Sequence, residues 1–126
     1  MKFLLIIIII LQLLVIINFS SIKNLPVIKN AGDLSDYVGK KVIVLGKISD
    51  IQWQHTINYI KTHPVILYFD MDDTQIVIYS KKEINSKEQL KISGKVIKVI
   101  WKSEKAGDES EFAEYHIIAD NYEIIK

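Results

Sequence analysis

Between Lys41 and Ile51 the chain alternates. Val42, Val44, Gly46 and Ile48 fall on one face, and Ile43, Leu45, Lys47 and Ser49 on the other. A period of two is the signature of a half-buried strand. The glycine near its middle predicts a bulge or sharp bend. Two more apolar runs, Val65–Asp70 and Gln75–Tyr79, flank the turn Asp70-Met71-Asp72-Asp73-Thr74 and read as a hairpin. Leu90 to Trp101 is a fourth strand with its own internal glycine, Gly94. Phe112 to Ala119 is a fifth, extended by Tyr122–Ile125.

The segments between these strands break the alternation. Asp33–Val38 reads as one helical turn, with Asp33 as its N-cap and Gly39 as its end. Asp50–Pro64 is a long connection carrying Trp53, His55, Tyr59 and His63, with at most a helical turn. Ser80–Lys87 is polar and holds no more than a short turn. Lys102–Glu111 is a charged loop containing Gly107. Five strands with no long helix predict an all-β fold, a small barrel or sandwich.

The first twenty residues follow another pattern. Phe3 to Ile17 is apolar except for Gln12, and Lys2 precedes it. A charged residue ahead of such a run marks a secretory signal, while counting through Phe19 brings the run to the lower bound of a membrane span. Cleavage after Ser20 or Ser21 would put Asn18 or Phe19 where a small residue is wanted. Two readings stay open: a single-pass N-terminal anchor at the cell membrane, or a cleaved signal with a secreted body. The implied organisation is a signal or transmembrane segment over 1–21, a linker over 22–32, and one domain over 33–126.

Composition narrows the chemistry. The 126 residues include no cysteine, which excludes disulfides, thiolate zinc sites, thiol nucleophiles and lipoprotein anchoring. All sixteen basic residues are lysine, so no guanidinium grips a phosphate or a carboxylate in bidentate fashion. From Ser21 onward fifteen lysines face fifteen acids, and this neutral body has no global pull on a polyanion. The heavy use of Ile, Lys and Asn matches an A·T-rich genome and weakens any argument from missing arginine.

The ordered set of strands carries a resemblance. Val42-Ile43-Val44-Leu45-Gly46-Lys47-Ile48, and later Leu90-Lys91-Ile92-Ser93-Gly94-Lys95-Val96, resemble the first and fourth strands of the OB-fold, a five-stranded barrel. Val65–Asp70 with Ile76–Tyr79 is similar to its central hairpin. The resemblance covers about Lys40 to Ile125, and extends to small exported or membrane-anchored OB-fold proteins with Phe-x-Asp-like barrel strands, here Phe69-Asp70. It implies a ligand face on the second and third strands, flanked by the 50–64 and 102–111 loops. On that face and its flanks, Trp53, Tyr59, Tyr68, Tyr79 and Trp101 offer stacking surfaces for single-stranded nucleic acid. His55 offers a polar contact, and Lys61, Lys81, Lys82, Lys102 and Lys105 offer charge to phosphates. Against this stand Asp70, Asp72, Asp73, Glu104 and Glu111 in the same region, and a second role for Trp53 as a plug over a barrel end. A protein partner in the cell envelope is the alternative to nucleic acid.

No catalytic motif is present: no Gly-x-Ser-x-Gly, no phosphate-cradling glycine loop, no His-Glu-x-x-His. An OB-fold nuclease of the staphylococcal type relies on arginines that this chain lacks. Similarity to the membrane-anchored haem chaperone of cytochrome c maturation fails at its key residue: with Tyr122 in register, Ile118 stands at the haem-attaching position. Asp70-x-Asp72-x-Thr74 opens like an EF-hand loop, but Gln75 and Lys81 replace its required glycine and glutamate. His55 and His63 are eight residues apart in a loop, with His116 distant in sequence, and this spacing is not diagnostic of a metal. The expectation is a non-enzymatic binding module with no cofactor and no metal.

Overall fold

The computed structural model describes residues 24–126. The apolar N-terminal segment, whether anchor or signal, lies outside the described residues. Among the described residues no helix is long and apolar enough to cross a membrane.

Among the described residues six strands form one sheet: β1 (Val27–Ile28), β2 (Lys41–Ile48), β3 (Val65–Asp70), β4 (Gln75–Ser80), β5 (Leu90–Lys102) and β6 (Glu111–Ile124). Their order is β1-β2-β3-β4-β6-β5, and β5 also pairs with β2, so β2 to β6 close into a ring. All neighbours in the ring are antiparallel except β4 and β6, which run parallel through Ile78–Ile117 and Tyr79–Ile118. The result is an OB-fold-like, mostly β domain with one short helix.

Closure puts alternate residues of every strand inside. Val42, Val44, Phe69, Ile78, Leu90, Ile92, Val96 and Ile117 are fully buried and pack together with Leu34, Leu67 and Ile76. Burying each such aliphatic side chain contributes about 1.5–3 kcal/mol. These are mostly β-branched residues whose shape suits a pleated, crowded surface.

Two glycines let the ring turn its corners. At Gly46, β2 leaves its pairing with β5 and begins its pairing with β3. A Cβ on Gly46 would lie 2.1 Å from the Asp70 carbonyl oxygen, so only glycine lets the strands cross there. Gly94 sits beside a register shift between β5 and β6. A Cβ there would meet the Ile118 carbonyl oxygen at 2.3 Å. The shift leaves Asp120 out of register, where it forms an exposed ion pair with Lys41 at 2.9 Å.

Several boundaries differ from the sequence reading. The segment read as a linker contributes β1, which pairs parallel to Ile43 and Val44 and sends the Pro26 carbonyl to the Ile43 N–H at 2.8 Å. The reason is tertiary: the outer edge of β2 is open there, and a short apolar piece takes it. The helical turn is a 3₁₀ helix over Ala31–Tyr37 whose N-cap position is Asn30 rather than Asp33. Gly39 does end this region, at a positive φ of 82°. The charged loop shortens to Ser103–Ser110, because Lys102 and Glu111 still pair, and β6 is one continuous strand.

The cap of the 3₁₀ helix comes from far along the chain. The Asp73 carboxylate accepts from the Ala31 N–H at 2.7 Å and the Gly32 N–H at 3.2 Å. The acidic turn between β3 and β4 thus serves as a remote N-cap. Slight burial pushes Asp73 up, but the N–H groups of Ala31, Gly32, Asp73 and Thr74 outweigh this and hold it below its ordinary value.

Two outcomes are expected. Gly46→Ala should destabilise by about 1–3 kcal/mol in chemical denaturation, because the clash is with backbone. Gly32→Ala, whose Cβ would meet nothing nearer than 3.9 Å, should cost far less; equal losses would show that Gly46 is not a steric corner. Asp73→Ala should cost about 0.5–2 kcal/mol at neutral pH, the usual worth of a cap. Since the folded state lowers this pKa, the contribution is full above the unfolded value of about 3.9 and fades as pH falls below it. Wild type and variant should therefore converge in acid; a gap that persists there would exclude the charged cap.

Candidate functional site

Strand β4 is buried at every position, on both faces. Ile76 and Ile78 point into the core, while Gln75, Val77 and Tyr79 point outward and are nonetheless covered. The cover is the connector of residues 49–64, which crosses the outside of β3, β4 and β6 without regular secondary structure beyond a turn at 61–62.

Side chains on the sheet hold this connector. The Gln75 carbonyl oxygen accepts from the Trp53 backbone N–H and the His55 Nε2–H, each at 3.0 Å. Its amide nitrogen donates to the Ile51 carbonyl at 2.7 Å, the Ser49 hydroxyl at 2.9 Å and the Asp70 carboxylate at 3.2 Å. Backbone partners on both sides leave the amide only one orientation. The Tyr79 hydroxyl accepts from the Asn58 N–H at 2.9 Å and meets His116 Nδ1 at 2.9 Å.

Glu114 on β6 is the centre of the second set. One carboxylate oxygen accepts from the Thr56 N–H at 2.8 Å. The other faces His55 Nδ1 at 2.5 Å and His116 Nε2 at 3.4 Å. Partial burial pushes Glu114 up; the Thr56 N–H and the two imidazoles outweigh it and lower its pKa. His116 is fully buried, and burial lowers its pKa, with Glu114 opposing and His55 adding to the fall. Burial raises Tyr79, only partly offset by the Asn58 N–H. No buried side-chain polar atom is left without a partner among the described residues.

Structure places the sequence candidates in two groups. His55, Tyr68 and Tyr79 belong to the covered face; His55 packs over Tyr68 with ring centres 5.9 Å apart, and Tyr79 is wholly buried, so it has no face to offer a stacked base. Trp53, Tyr59, Lys81, Trp101 and Lys102 are exposed. Trp53 is 53% exposed, which rules out its role as a barrel plug. Trp101 pairs across the β5–β6 arm with Phe112 at 5.4 Å, and both rings are exposed. Phe112, Glu114 and His116 share one face of β6, so the Trp101–Phe112 pair prolongs the sheet face beyond the end that the connector covers.

The histidines pair differently from their spacing. His55 and His63 are not brought together; His63 donates from Nε2 to the Ala119 carbonyl at 2.9 Å and pins the far end of the connector. His116 is a neighbour of His55, with ring centres 6.5 Å apart. His55, Glu114 and His116 each turn one ligand-type atom inward, all within 4.8 Å of one another. A solvent-open pocket of about 400 Å³, lined in part by Gln54, His55, Gln75 and Glu114, opens beside them. Sequence reasoning missed Gln75 and Glu114. Their signals were a glutamine opening an otherwise apolar strand, and the Glu-x-His step that puts both side chains on one strand face.

No family model and no curated protein matches this chain. Among solved structures it is similar to replication protein A of U. maydis bound to ssDNA: 16% identity, a TM-score of 0.48, covering 81% of this chain and 73% of that one. A likeness of that degree identifies neither a family nor a ligand.

Gln75→Ala should release the start of the connector while leaving the ring intact. The expected cost is about 1–3 kcal/mol, because partners are left unsatisfied. Amide hydrogen exchange should speed up at Trp53, with amides of the β3–β4 ladder unchanged. Unchanged exchange at Trp53 would mean that Gln75 does not hold the connector.

Proposed function

We propose that this chain is a non-catalytic OB-fold binding module that takes single-stranded nucleic acid, and that residues 3–19 tether it to a membrane or export it. The strand order, with a parallel contact between the third and fifth ring strands, supports the OB-fold assignment. The apolar run behind Lys2 supports the tether or signal.

One observation carries the binding reading. Exposed aromatic rings stand on the two segments that flank the sheet face: Trp53 and Tyr59 on the connector, Trp101 and Phe112 on the β5–β6 arm. Such rings give bases a stacking platform that is indifferent to sequence. Because the connector covers the sheet itself, the platform is the rim and arm rather than β3 and β4. A specific observation favours a second reading, a protein-interaction component of the cell envelope. Lys102 and Lys105 on the arm are outnumbered by Glu104, Asp108, Glu109 and Glu111, an unfavourable balance for a polyanion.

Intrinsic fluorescence separates them. With an oligonucleotide as probe, nucleic-acid binding should quench Trp53 and Trp101 saturably, and the affinity should fall steeply with salt. Trp101→Ala should weaken it by about 1–3 kcal/mol, the worth of one stacked base. Unchanged fluorescence at micromolar oligonucleotide and low salt would discard this reading and favour the envelope partner.

A further inference from the structure

We propose that His55, Glu114 and His116 form a binding site for a late first-row divalent metal ion, with zinc as the expected occupant. Their three ligand-type atoms lie within 4.8 Å of one another, although His55 comes from the connector and the other two from β6. Two imidazoles and a carboxylate make a borderline donor set. It suits zinc and its neighbours, and disfavours calcium and magnesium, which take oxygen.

The groups behind the ligands support this assignment. Metal-binding histidines usually tie the second ring nitrogen to a protein partner, which fixes the tautomer and the ring. Both rings here do so. Gln75 can only accept at its carbonyl oxygen, so His55 Nε2 carries its hydrogen and Nδ1 is the atom turned to Glu114. Tyr79 engages His116 Nδ1 and leaves Nε2 turned to the same carboxylate oxygen. Two ring nitrogens from separate elements therefore converge on one oxygen, and the ion takes the place of the hydrogens between them. Ligands about 2.0–2.2 Å from a tetrahedral ion stand roughly 3.3 Å apart. The 2.5 Å approach of His55 to Glu114 must therefore widen, and Glu114, with a third of its side chain exposed, has room to step back. The adjoining pocket leaves a fourth position open to water. The bound ion would staple the connector to β6. His63 takes no part, because its Nε2 is committed to Ala119.

The test uses the full chain in detergent micelles. Titration with cobalt(II) should give the visible bands of a four-coordinate site, and one equivalent of zinc should abolish them. X-ray absorption on the zinc-loaded wild type should show two imidazoles in the coordination sphere. Glu114→Gln keeps an oxygen for the Thr56 N–H and should weaken zinc at least tenfold; His55→Gln should do the same. Folding of both variants is checked by their far-ultraviolet circular dichroism and cooperative thermal unfolding. A wild type that gives no four-coordinate cobalt bands, a sphere without two imidazoles, or folded variants that bind zinc as tightly as wild type would each overturn the proposal.

Discussion

Polar groups taken out of water must find partners, and the outer face of β4 and β6 carries four that are wholly or partly buried: Gln75, Tyr79, Glu114 and His116. An apolar strap laid over them would strand their hydrogen-bonding atoms, at about 1–3 kcal/mol for each protein group left unsatisfied. The 49–64 connector avoids this by presenting its own backbone N–H and C=O groups. Trp53, Thr56 and Asn58 donate, and Ile51 accepts. That is why the connector needs no secondary structure of its own. Its path is set by the side chains beneath it.

This constraint decides which parts of the sheet stay open. An OB-type ring offers its second and third strands to a partner. Here those strands already hold a partner, a part of the same chain. What stays open is the rim: the exposed rings of Trp53 and Tyr59, the Trp101–Phe112 pair on the arm, and the pocket beside His55 and Glu114. The aromatic rim and the polar cluster lie on neighbouring parts of one sheet face. A change in how firmly the connector is held would therefore alter the shape of that open rim.

The ring depends on two absences. Strand β2 passes from β5 to β3 at Gly46, while β5 pairs with β2 and β6 at once at Gly94, beside the register shift, and each must bend there. Gly46 and Gly94 make this possible because no Cβ stands between the backbones at the crossing. The long β5 then runs past the ring with β6 as a two-stranded arm, which ends in the exposed aromatic pair. Barrel closure and the position of the arm are consequences of the same two glycines.

Local pattern was enough for the five main strands, the central hairpin, both corner glycines and the order that resembles an OB ring, because a period of two and a missing side chain are properties of short stretches. It was also enough to single out 50–64 as a special segment, from its aromatics and broken alternation. It did not reveal β1, the Asn30 cap position or the role of Asp73. Each depends on a partner dozens of residues away or on an open strand edge. The site shows the same division. The sequence determined which strand faces carry Glu114, His116 and Gln75. Only the tertiary structure decided that His55 meets His116 rather than His63, and that Tyr79 is covered while Trp101 is not. Those outcomes are set by where an irregular connector lies on a sheet, and no periodicity records that path.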